Sequence, residues 1–247
     1  MIDNQTIEQL RSLRLDGMLA AISDPATAIA TSELSFDQRL SLLVQREVDW
    51  RDGKRLTRLI KNAQLKFSSA AMEDINWRAT RGLDRTVMSD LASCDWVRRG
   101  RSVLLTGAAG CGKTWIACAL ARQAARQGFS VYYTRASRLL QELHVAHGDG
   151  SFTKRLTQLA RLDVLLIDDL ALSPITASER SDLLEILDDR VGTRATIIGS
   201  QVPHRDWHTW LNEPTIADAI MDRIVHGAYK IALKGKSLRD EDKADTQ

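Results

Sequence analysis

A glycine-rich segment, LLTGAAGCGKTWIA at residues 104–117, constrains the fold of this chain more than any other feature. Within it, residues 107–114 match the pattern G-x-x-x-x-G-K-[ST] at every fixed position. The apolar run SVLLT comes directly before these residues. The segment WIACALARQAARQG, which has a helical pattern, comes directly after them. A strand, a glycine loop and a helix in this order predict a phosphate-binding unit within an α/β fold.

The residue types of the loop fit the chemistry of a phosphate chain. Such a chain needs several N–H donors aimed at one point, and small residues let the backbone approach that closely. The helix that starts at Lys113 directs its positive end toward the same anion, Lys113 can reach the outer phosphates, and the Thr114 hydroxyl can bind Mg²⁺. The residues expected to contact the nucleotide are Gly107, Ala108, Ala109, Gly110, Cys111, Gly112, Lys113, Thr114 and Trp115.

A second motif, LDVLLIDDL, ends a buried apolar strand with Asp168 and Asp169. In a P-loop domain the first carboxylate at such a strand end holds the shell of the Mg²⁺ ion. The second is placed to orient or deprotonate the attacking water, so we expect Asp169 to be catalytic. Lys113, which can reach the outer phosphates, is expected to be catalytic as well. The alternative explanation is that the two acidic residues cap a helix that follows the strand. Because the acidic pair occurs together with the glycine loop, the nucleotide site is favoured.

The remaining patterns divide the chain into four parts. Residues 1–67 read as helices without a strand pattern, whereas residues 101–239 alternate short β-branched runs with helical patterns. Residues 68–100 are expected to form a junction, and the mixed-charge tail 240–247 is expected to be disordered. The predicted strands are residues 102–106, 130–134, 163–167, 196–200 and 230–233. The predicted fold is an α/β P-loop domain with a parallel sheet flanked by helices, preceded by a small N-terminal helical domain.

The N-terminal part predicts three helices, one over the apolar positions from Ile7 to Met18, one starting near Ser35 and one over roughly residues 51–66. The third places five cations on one stripe, namely Arg51, Lys54, Arg55, Arg58 and Lys61. Only Asp52 offsets them within the segment. A stripe of about 15 Å could contact several phosphates of a duplex, which predicts DNA binding with little sequence preference. A solvated charged face is the alternative.

Composition excludes several other classes of protein. The net charge is +2, and neither a transmembrane run nor a signal pattern occurs, which predicts a cytoplasmic protein without a membrane partner. The three cysteines lack C-x-x-C spacing, and His204 and His208 lack a glutamate partner, so no metal site of their own is expected. The motifs N-K-x-D and L-S-G-G-Q are missing, which argues against a GTPase and an ABC cassette and leaves a small-molecule kinase open.

Four further segments resemble one family when they are taken together with the glycine loop. They read LLIDDLALSP, SERSDLLEILDDR, TIIGSQVPHRDWHTWL and ADAIMDRIVHGAYKIALKGKSLR. The combination resembles the IstB-like ATPases, which are AAA+ helper proteins of insertion sequences and relatives of the DnaC-type helicase loaders. The resemblance runs from about residue 5 to Arg239, and its C-terminal string is far more specific than the loop.

The resemblance implies ATP as the nucleotide and further roles for named residues. Arg223 matches an arginine finger that reaches a neighbouring subunit's site, where a permanent planar cation can meet developing γ-phosphate charge. Arg239 matches a sensor arginine that contacts nucleotide within its own subunit, and Ser200 a polar sensor between the acidic pair and the phosphate. Many related ATPases have Glu at the place of Asp169, so slow hydrolysis is expected unless a neighbouring subunit or DNA tightens the geometry.

Two residues and the glycine loop depart from the family pattern. Gly199 stands where the family usually has Thr, Ala171 stands where it usually has Gly, and the loop reads GAAGCGKTW in place of the commoner GPPGVGKTH. None of these changes removes a charged or ligating group, so ATP binding is expected to persist. For Arg223, a surface salt bridge with Asp222 or Asp218 is the alternative to the finger role.

The function that these patterns predict is that of an ATPase that helps transposition. ATP-loaded copies would assemble as a homo-oligomer on double-stranded DNA, present that DNA to a cognate transposase and reset by hydrolysis. A replicative helicase loader with the same core is the first alternative, and a P-loop kinase acting on a small metabolite is the second. The third is an ATP-gated DNA-binding scaffold with negligible turnover.

Overall fold

The computed structural model describes the chain in three stretches, residues 3–24, 33–77 and 81–235. The predicted sensor Arg239, the tail 240–247 and most of the loop expected before Ser35 lie outside these stretches. The chain divides into two compact units, Met1–Arg58 and Leu59–Gln247.

The first unit is helical. It contains α1 (Asn4–Ser12), α2 (Asp16–Ser23) and residues 36–58 of α3, a helix that spans Phe36–Ala63. The prediction of one helix from Ile7 to Met18 was wrong, because Arg14 adopts a left-handed conformation with φ 56° and ends α1. The prediction of separate second and third helices was also wrong. No proline lies within α3, and Gly53 is tolerated in its interior, so the helix continues from Phe36 to Ala63.

A buried carboxylate joins α2 to α3 within the first unit. Glu47 accepts hydrogen bonds from the amides of Gly17 at 2.7 Å and Met18 at 3.1 Å. These amides belong to the first turn of α2, where backbone donors have no partner within the helix. A Cβ at position 17 would lie 2.6 Å from Trp50 Cβ, so a glycine is required for α2 to approach α3 this closely.

The second unit is built on a five-stranded sheet in the order β2-β3-β4-β1-β5. All neighbouring strands are parallel, with Val103 opposite Ile197 and Tyr229, and Val164 opposite Val131 and Ala195. The strands are β1 Val103–Gly107, β2 Val131–Arg135, β3 Val164–Leu170, β4 Ala195–Ser200 and β5 Tyr229–Leu233. Each starts within one residue of its predicted start, so the five strand predictions are confirmed.

Helices cover both faces of this sheet. They are α4 Arg85–Ala92, α5 Asp95–Arg98, α6 Lys113–Arg126, α7 Ala136–Asp149, α8 Phe152–Arg161, α9 Ala177–Asp188, α10 Trp207–Leu211 and α11 Pro214–Val225. One apolar cluster joins α4, α5 and α6 to Val103 and Leu105, and a second joins α7, α8, α9 and α11 to Leu104. Successive side chains of a strand point to opposite faces, so these two clusters are the two layers of the core. Residues 68–100 thus contribute helices to the first layer.

The parallel arrangement brings the carboxyl ends of the strands to one edge of the sheet. Gly107 ends β1, Arg135 ends β2 and Ser200 ends β4, while Asp168 and Asp169 lie near the end of β3. Ligands of open parallel sheets bind in the crevice outside this edge. The strand order therefore collects the predicted loop, acidic pair and sensor serine from separate parts of the sequence.

Candidate nucleotide-binding site

Three glycines give the loop after β1 a path that other residues rarely follow. Gly107, Gly110 and Gly112 have φ values of 147°, 81° and 91°. A Cβ on Gly107 would lie 2.3 Å from the backbone oxygen of Leu233 in β5. Because that atom is backbone in a neighbouring strand, it has little freedom to move, and position 107 requires glycine.

The loop leads directly into the first turn of α6. Gly112 is the N-cap of this helix and, being glycine, has no side chain with which to cap the amides that follow. The first amides of a helix have no intrahelical acceptor, and together with the helix dipole they favour an anion. The order of strand, glycine loop and helix predicted from the sequence is therefore present, with open N–H donors at the carboxyl edge of the sheet.

The side chain of Lys113 lies over its own loop. Its Nζ donates to the carbonyl oxygens of Gly107 and Ala108, both at 2.8 Å, and the residue is only 6% exposed. A buried ammonium needs acceptors, and here the loop carbonyls supply them. A phosphate oxygen is a stronger partner for this cation, because both groups are then charged.

A hydrogen bond links the loop helix to the acidic pair. Thr114 Oγ1 donates to Asp168 Oδ2 at 2.8 Å, and Asp168 is fully buried. Burial raises the pKa of Asp168, the Asp169 charge adds to this, and the Thr114 hydrogen bond opposes it. Within the described stretches Asp168 Oδ1 has no hydrogen-bond partner. A hydroxyl and a carboxylate with a buried free oxygen are the hard oxygen donors that suit Mg²⁺, so the residues present fit this cation.

The structure adds one residue that the sequence analysis missed. The Tyr133 hydroxyl on β2 donates to Asp168 Oδ2 at 3.2 Å. Burial and the nearby Asp168 charge raise the pKa of Tyr133, which keeps the phenol protonated and able to donate. The signal available in the sequence was the alternation along VYYTR, which places Tyr133 and Arg135 on one face, but it did not show which face meets Asp168.

Asp169 occupies a bulge at the end of β3. Its φ is 59°, and the pairing of β3 with β4 shifts register between Ile167 and Leu170. The bulge turns the side chain out of the strand pattern. There it is partly exposed, and among the described residues it pairs with Arg135, whose Nε lies 3.9 Å from Asp169 Oδ2. The two carboxylates thus differ in environment, one enclosed by the fold and one open to the edge.

Ser200 is fully buried and lies beside this bulge. Its hydroxyl donates to the Leu170 carbonyl at 2.7 Å and accepts from the Val202 amide at 3.1 Å. The structure therefore connects Ser200 to the end of β3 through the backbone. At the preceding position, a Cβ on Gly199 would lie 2.5 Å from Asp168 Oδ1. The departure from Thr at position 199 leaves room for that carboxylate oxygen in its present orientation.

Arg223 lies on α11 and forms an ion pair within its own subunit. Its Nε donates to Asp188 Oδ1 at 2.6 Å, and its guanidinium also donates to the Ala219 carbonyl at 3.0 Å. The partner is therefore Asp188 rather than Asp222 or Asp218. The ion pair holds the guanidinium at the protein surface, where Asp188 is more than half exposed.

The cations predicted to contact DNA lie on the exposed side of α3, and two of them are neutralised locally. Arg51 pairs with Glu47 at 2.6 Å, and Lys54 pairs with Asp16 at 2.8 Å. Arg55, Arg58 and Lys61 are exposed as well. Asp52 is the only acidic residue within the segment itself, and both carboxylate partners come from outside it.

The fold and this site define an α/β P-loop protein with a loop suited to binding a nucleotide. A parallel sheet in the order β2-β3-β4-β1-β5 carries the glycine loop after β1 and the acidic pair on β3. The solved structure of the DnaI protein matches with a TM-score of 0.59 at 21% identity, covering 67% of this chain and 92% of that one. The DnaC helicase loader matches with a TM-score of 0.55 at 17% identity, covering 67% and 97%. The predicted fold class is confirmed.

Relatives of known sequence narrow the class to a family. The family model described as IstB-like ATP binding protein matches residues 8–246. A Pseudomonas fluorescens protein named as an ATP-binding protein of insertion sequence IS1162 is 52% identical over 82% of this chain and 88% of its own length. The insertion sequence ATP-binding protein y4pL of Sinorhizobium fredii is 40% identical over 97% of both chains. The chain belongs to the IstB-like ATP-binding protein family, and the resemblance seen in the sequence is confirmed.

None of the helices in the described stretches combines the length and the apolar character of a membrane span.

Proposed function

We propose that this chain is an ATP-dependent, DNA-binding helper of transposition that assembles on duplex DNA and presents it to a cognate transposase. The observation that carries the ATP-dependent part is the hydrogen bond between Thr114 and Asp168 beneath an open, amide-lined glycine loop. The insertion sequence names of relatives at 52% and 40% identity support the transposition part.

Nucleotide binding in this proposal uses the backbone of the loop and the side chains of Lys113, Thr114 and Asp168. The amides of residues 107–114 hold the phosphates, and the ammonium of Lys113 leaves the carbonyls of Gly107 and Ala108 to pair with an outer phosphate. Thr114 and Asp168 would hold Mg²⁺, which when bound neutralises charge on the phosphates. Trp115, which is also proposed to contact the nucleotide, is partly buried against the first apolar cluster.

Hydrolysis in this proposal depends on Asp169. Its carboxylate orients the attacking water and receives the proton. Asp is one methylene shorter than Glu, and Arg135 lies 3.9 Å from Asp169 Oδ2, so two features oppose an efficient approach to the water in the isolated subunit. Slow turnover, stimulated by DNA or a neighbouring subunit, is the expected behaviour.

Arg223 is proposed to complete the ATP site of a neighbouring copy. A guanidinium that enters another subunit's site must leave Asp188, its present partner. Assembly would therefore exchange an intramolecular ion pair for a contact with the γ-phosphate, where the cation meets more charge. Ser200 and Arg239 are proposed as sensors of the nucleotide, with Ser200 acting through the backbone at the end of β3.

DNA contact is proposed for Arg51, Lys54, Arg55, Arg58 and Lys61 on α3. Arg51 and Lys54 already have carboxylate partners, so a phosphate must compete with Glu47 and Asp16 for them. Phosphate contacts give affinity without reading the bases, so little sequence preference is expected.

A helicase loader is the second candidate, since the DnaC loader shares the fold. That likeness is below 25% identity and concerns the fold alone, whereas two relatives named for insertion sequences match at 52% and 40% identity. The helper function is therefore favoured. A transposase reading frame beside this one would support the helper, and a replication gene would support the loader.

The test uses the full chain, duplex DNA and a non-hydrolysable ATP analogue, with electron microscopy and sedimentation as measurements. The proposal expects regular protein–DNA particles with the analogue and none without it. A Lys113→Ala protein should bind the analogue at least about tenfold more weakly and should form no particles at an analogue concentration that just saturates the wild type. Particles that form equally well with this variant, or formation of a phosphorylated small metabolite in place of ATP hydrolysis, would contradict the proposal.

A further inference from the structure

We propose that Tyr133 is a positioning residue that holds Asp168 in the orientation needed for Mg²⁺-dependent nucleotide binding, an inference that rests on the proposed ATP site. The Tyr133 hydroxyl donates to Asp168 Oδ2 at 3.2 Å, and Thr114 Oγ1 donates to the same oxygen at 2.8 Å. Both hydrogen bonds thus fall on Oδ2, while the buried Oδ1 has none within the described stretches.

The position of Tyr133 follows from strand register. On the edge strand β2, Arg135 pairs with Asp168 and Tyr133 pairs with Leu166. Side chains two residues apart lie on the same face, so Tyr133, Arg135 and Asp168 share one face of the sheet. Tyr132 faces the other way, into the second apolar cluster, and its hydroxyl contacts Arg155 at 3.2 Å.

Two donors on one oxygen restrict rotation of the carboxylate. A buried carboxylate oxygen without a partner is costly, so Oδ1 is the atom that calls for a donor or a cation. Oδ1 faces Gly199, and a Cβ added at that residue would lie 2.5 Å from this oxygen. When the Thr114 oxygen binds a cation, Tyr133 supplies a restraint on Asp168 that does not itself touch the cation. Groups that orient a metal-binding residue in this way typically change metal affinity tenfold or more when removed.

The ring and the hydroxyl of Tyr133 have separable roles. The ring packs against the first apolar cluster, together with Trp115. Phenylalanine would keep this packing, because it differs from tyrosine only by the hydroxyl. The Tyr133→Phe variant therefore removes the hydroxyl, with its hydrogen bond to Asp168 and its interaction with Arg135, and leaves the volume of the core almost unchanged.

The experiment compares Tyr133→Phe with the matched control Tyr132→Phe in the full chain. Calorimetry gives the affinity for a non-hydrolysable ATP analogue with saturating Mg²⁺ and, separately, in EDTA. For Tyr133→Phe we expect the gain in affinity caused by Mg²⁺ to fall about tenfold, with the affinity in EDTA unchanged. For Tyr132→Phe we expect wild-type values under both conditions, since its hydroxyl lies on the opposite face.

Each of the following results would contradict the inference. A wild-type gain from Mg²⁺ in Tyr133→Phe, or an equal loss in Tyr132→Phe, would show that the hydroxyl does not position Asp168. Loss of binding in EDTA, or failure of Tyr133→Phe to fold, would show that the hydroxyl serves the fold instead. If the wild-type protein binds no nucleotide in EDTA or with Mg²⁺, the proposed function fails and this inference fails with it. If the wild-type protein binds nucleotide and the effect of Mg²⁺ is unchanged in Tyr133→Phe, only this inference is overturned and the proposed function stands.

Discussion

Thr114 Oγ1 lies 2.8 Å from Asp168 Oδ2, which joins the first turn of α6 to the end of β3. The two residues come from the two motifs that the sequence analysis treated separately. Their contact places the hydroxyl and the carboxylate side by side at the carboxyl edge of the sheet.

Removing the Thr114 hydroxyl should abolish much of the effect of Mg²⁺ on nucleotide binding. Thr114→Val keeps the shape of the side chain but removes the oxygen that donates to Asp168 and would bind the cation. We expect the affinity for ATP with Mg²⁺ to fall roughly tenfold or more, as for lost metal-site partners. Thr114→Ser keeps the hydroxyl and should restore most of the affinity. Calorimetry with Mg²⁺ and with EDTA measures both, and equal behaviour of Val and Ser would refute the assignment.

Lys113→Ala should weaken nucleotide binding more than it weakens the fold. The ammonium now bonds to two loop carbonyls, and phosphate would take their place. A hydrogen bond to a charged group contributes about 1.5–3 kcal/mol, so affinity should fall by roughly tenfold to more than a hundredfold. Fluorescent-nucleotide binding measures the affinity, and thermal unfolding without nucleotide serves as the control. A variant that binds ATP as the wild type does would remove Lys113 from the site.

Gly107→Ala should disrupt both stability and nucleotide binding. The added Cβ would lie 2.3 Å from the Leu233 carbonyl, and φ is 147°. We expect a loss of about 1–3 kcal/mol or more, since backbone in β5 would have to shift. Gly148→Ala is the matched control in the same unit, because a Cβ there meets nothing within 4 Å and the residue lies in α7. It should be neutral or stabilising by up to about 1 kcal/mol. Chemical denaturation of both variants tests the contrast.

The helix contact at Glu47 should depend on pH. Burial alone would raise the pKa of Glu47, but Arg51 and the amides of Met18 and Gly17 outweigh it and hold the pKa below its usual value of 4.5. A lowered folded-state pKa means that the contact stabilises fully above pH 4.5 and is lost as the pH falls through the folded pKa. The NMR shifts of the Gly17 and Met18 amides should therefore change below pH 4.5. In Glu47→Gln this acid transition should be absent, and its persistence would contradict the assignment.

Arg223 and Asp169 should complement each other between subunits. If Arg223 acts in a neighbour's site, Arg223→Ala and Asp169→Asn proteins should each lack hydrolysis alone. Mixed on DNA, they should recover part of it, because some sites then combine an intact Asp169 with a neighbour's intact Arg223. The phosphate released per ATP site measures this. No recovery in mixed particles of normal size would indicate that Arg223 serves only its ion pair with Asp188.

Two cations of α3 should account for part of the salt dependence of DNA binding. Replacing Arg58 and Lys61 by Ala should reduce the slope of log K against log salt by about 2, since each phosphate contact contributes about 0.9. A double variant of Arg11 and Lys230 removes the same charge elsewhere and should leave the slope unchanged. Binding to duplexes of unrelated sequence should weaken equally. Identical slopes for the two double variants would argue against DNA contact by the cations of α3.

The sequence alone determined the loop, the acidic pair and the five strands, because each is encoded by residues close together in the chain. A glycine is demanded by the backbone path at position 107, and apolar runs such as VLLI form buried strands wherever they pair. Local patterns also carried the resemblance to the family. Local patterns were less informative for the N-terminal helices, since only the structure showed where Arg14 ends α1 and that α3 continues past residue 51.

Only the tertiary structure decided which side chains meet. Tyr133 reaches Asp168 through the pairing of β2 with β3, and Thr114 reaches it across an interval of 54 positions. Arg223 takes Asp188 rather than a neighbour in its own helix, and the Ser200 hydroxyl bonds to backbone. Strand order and register set these distances. They arise from packing the whole sheet between its two helical layers, and no short segment of the chain contains that information.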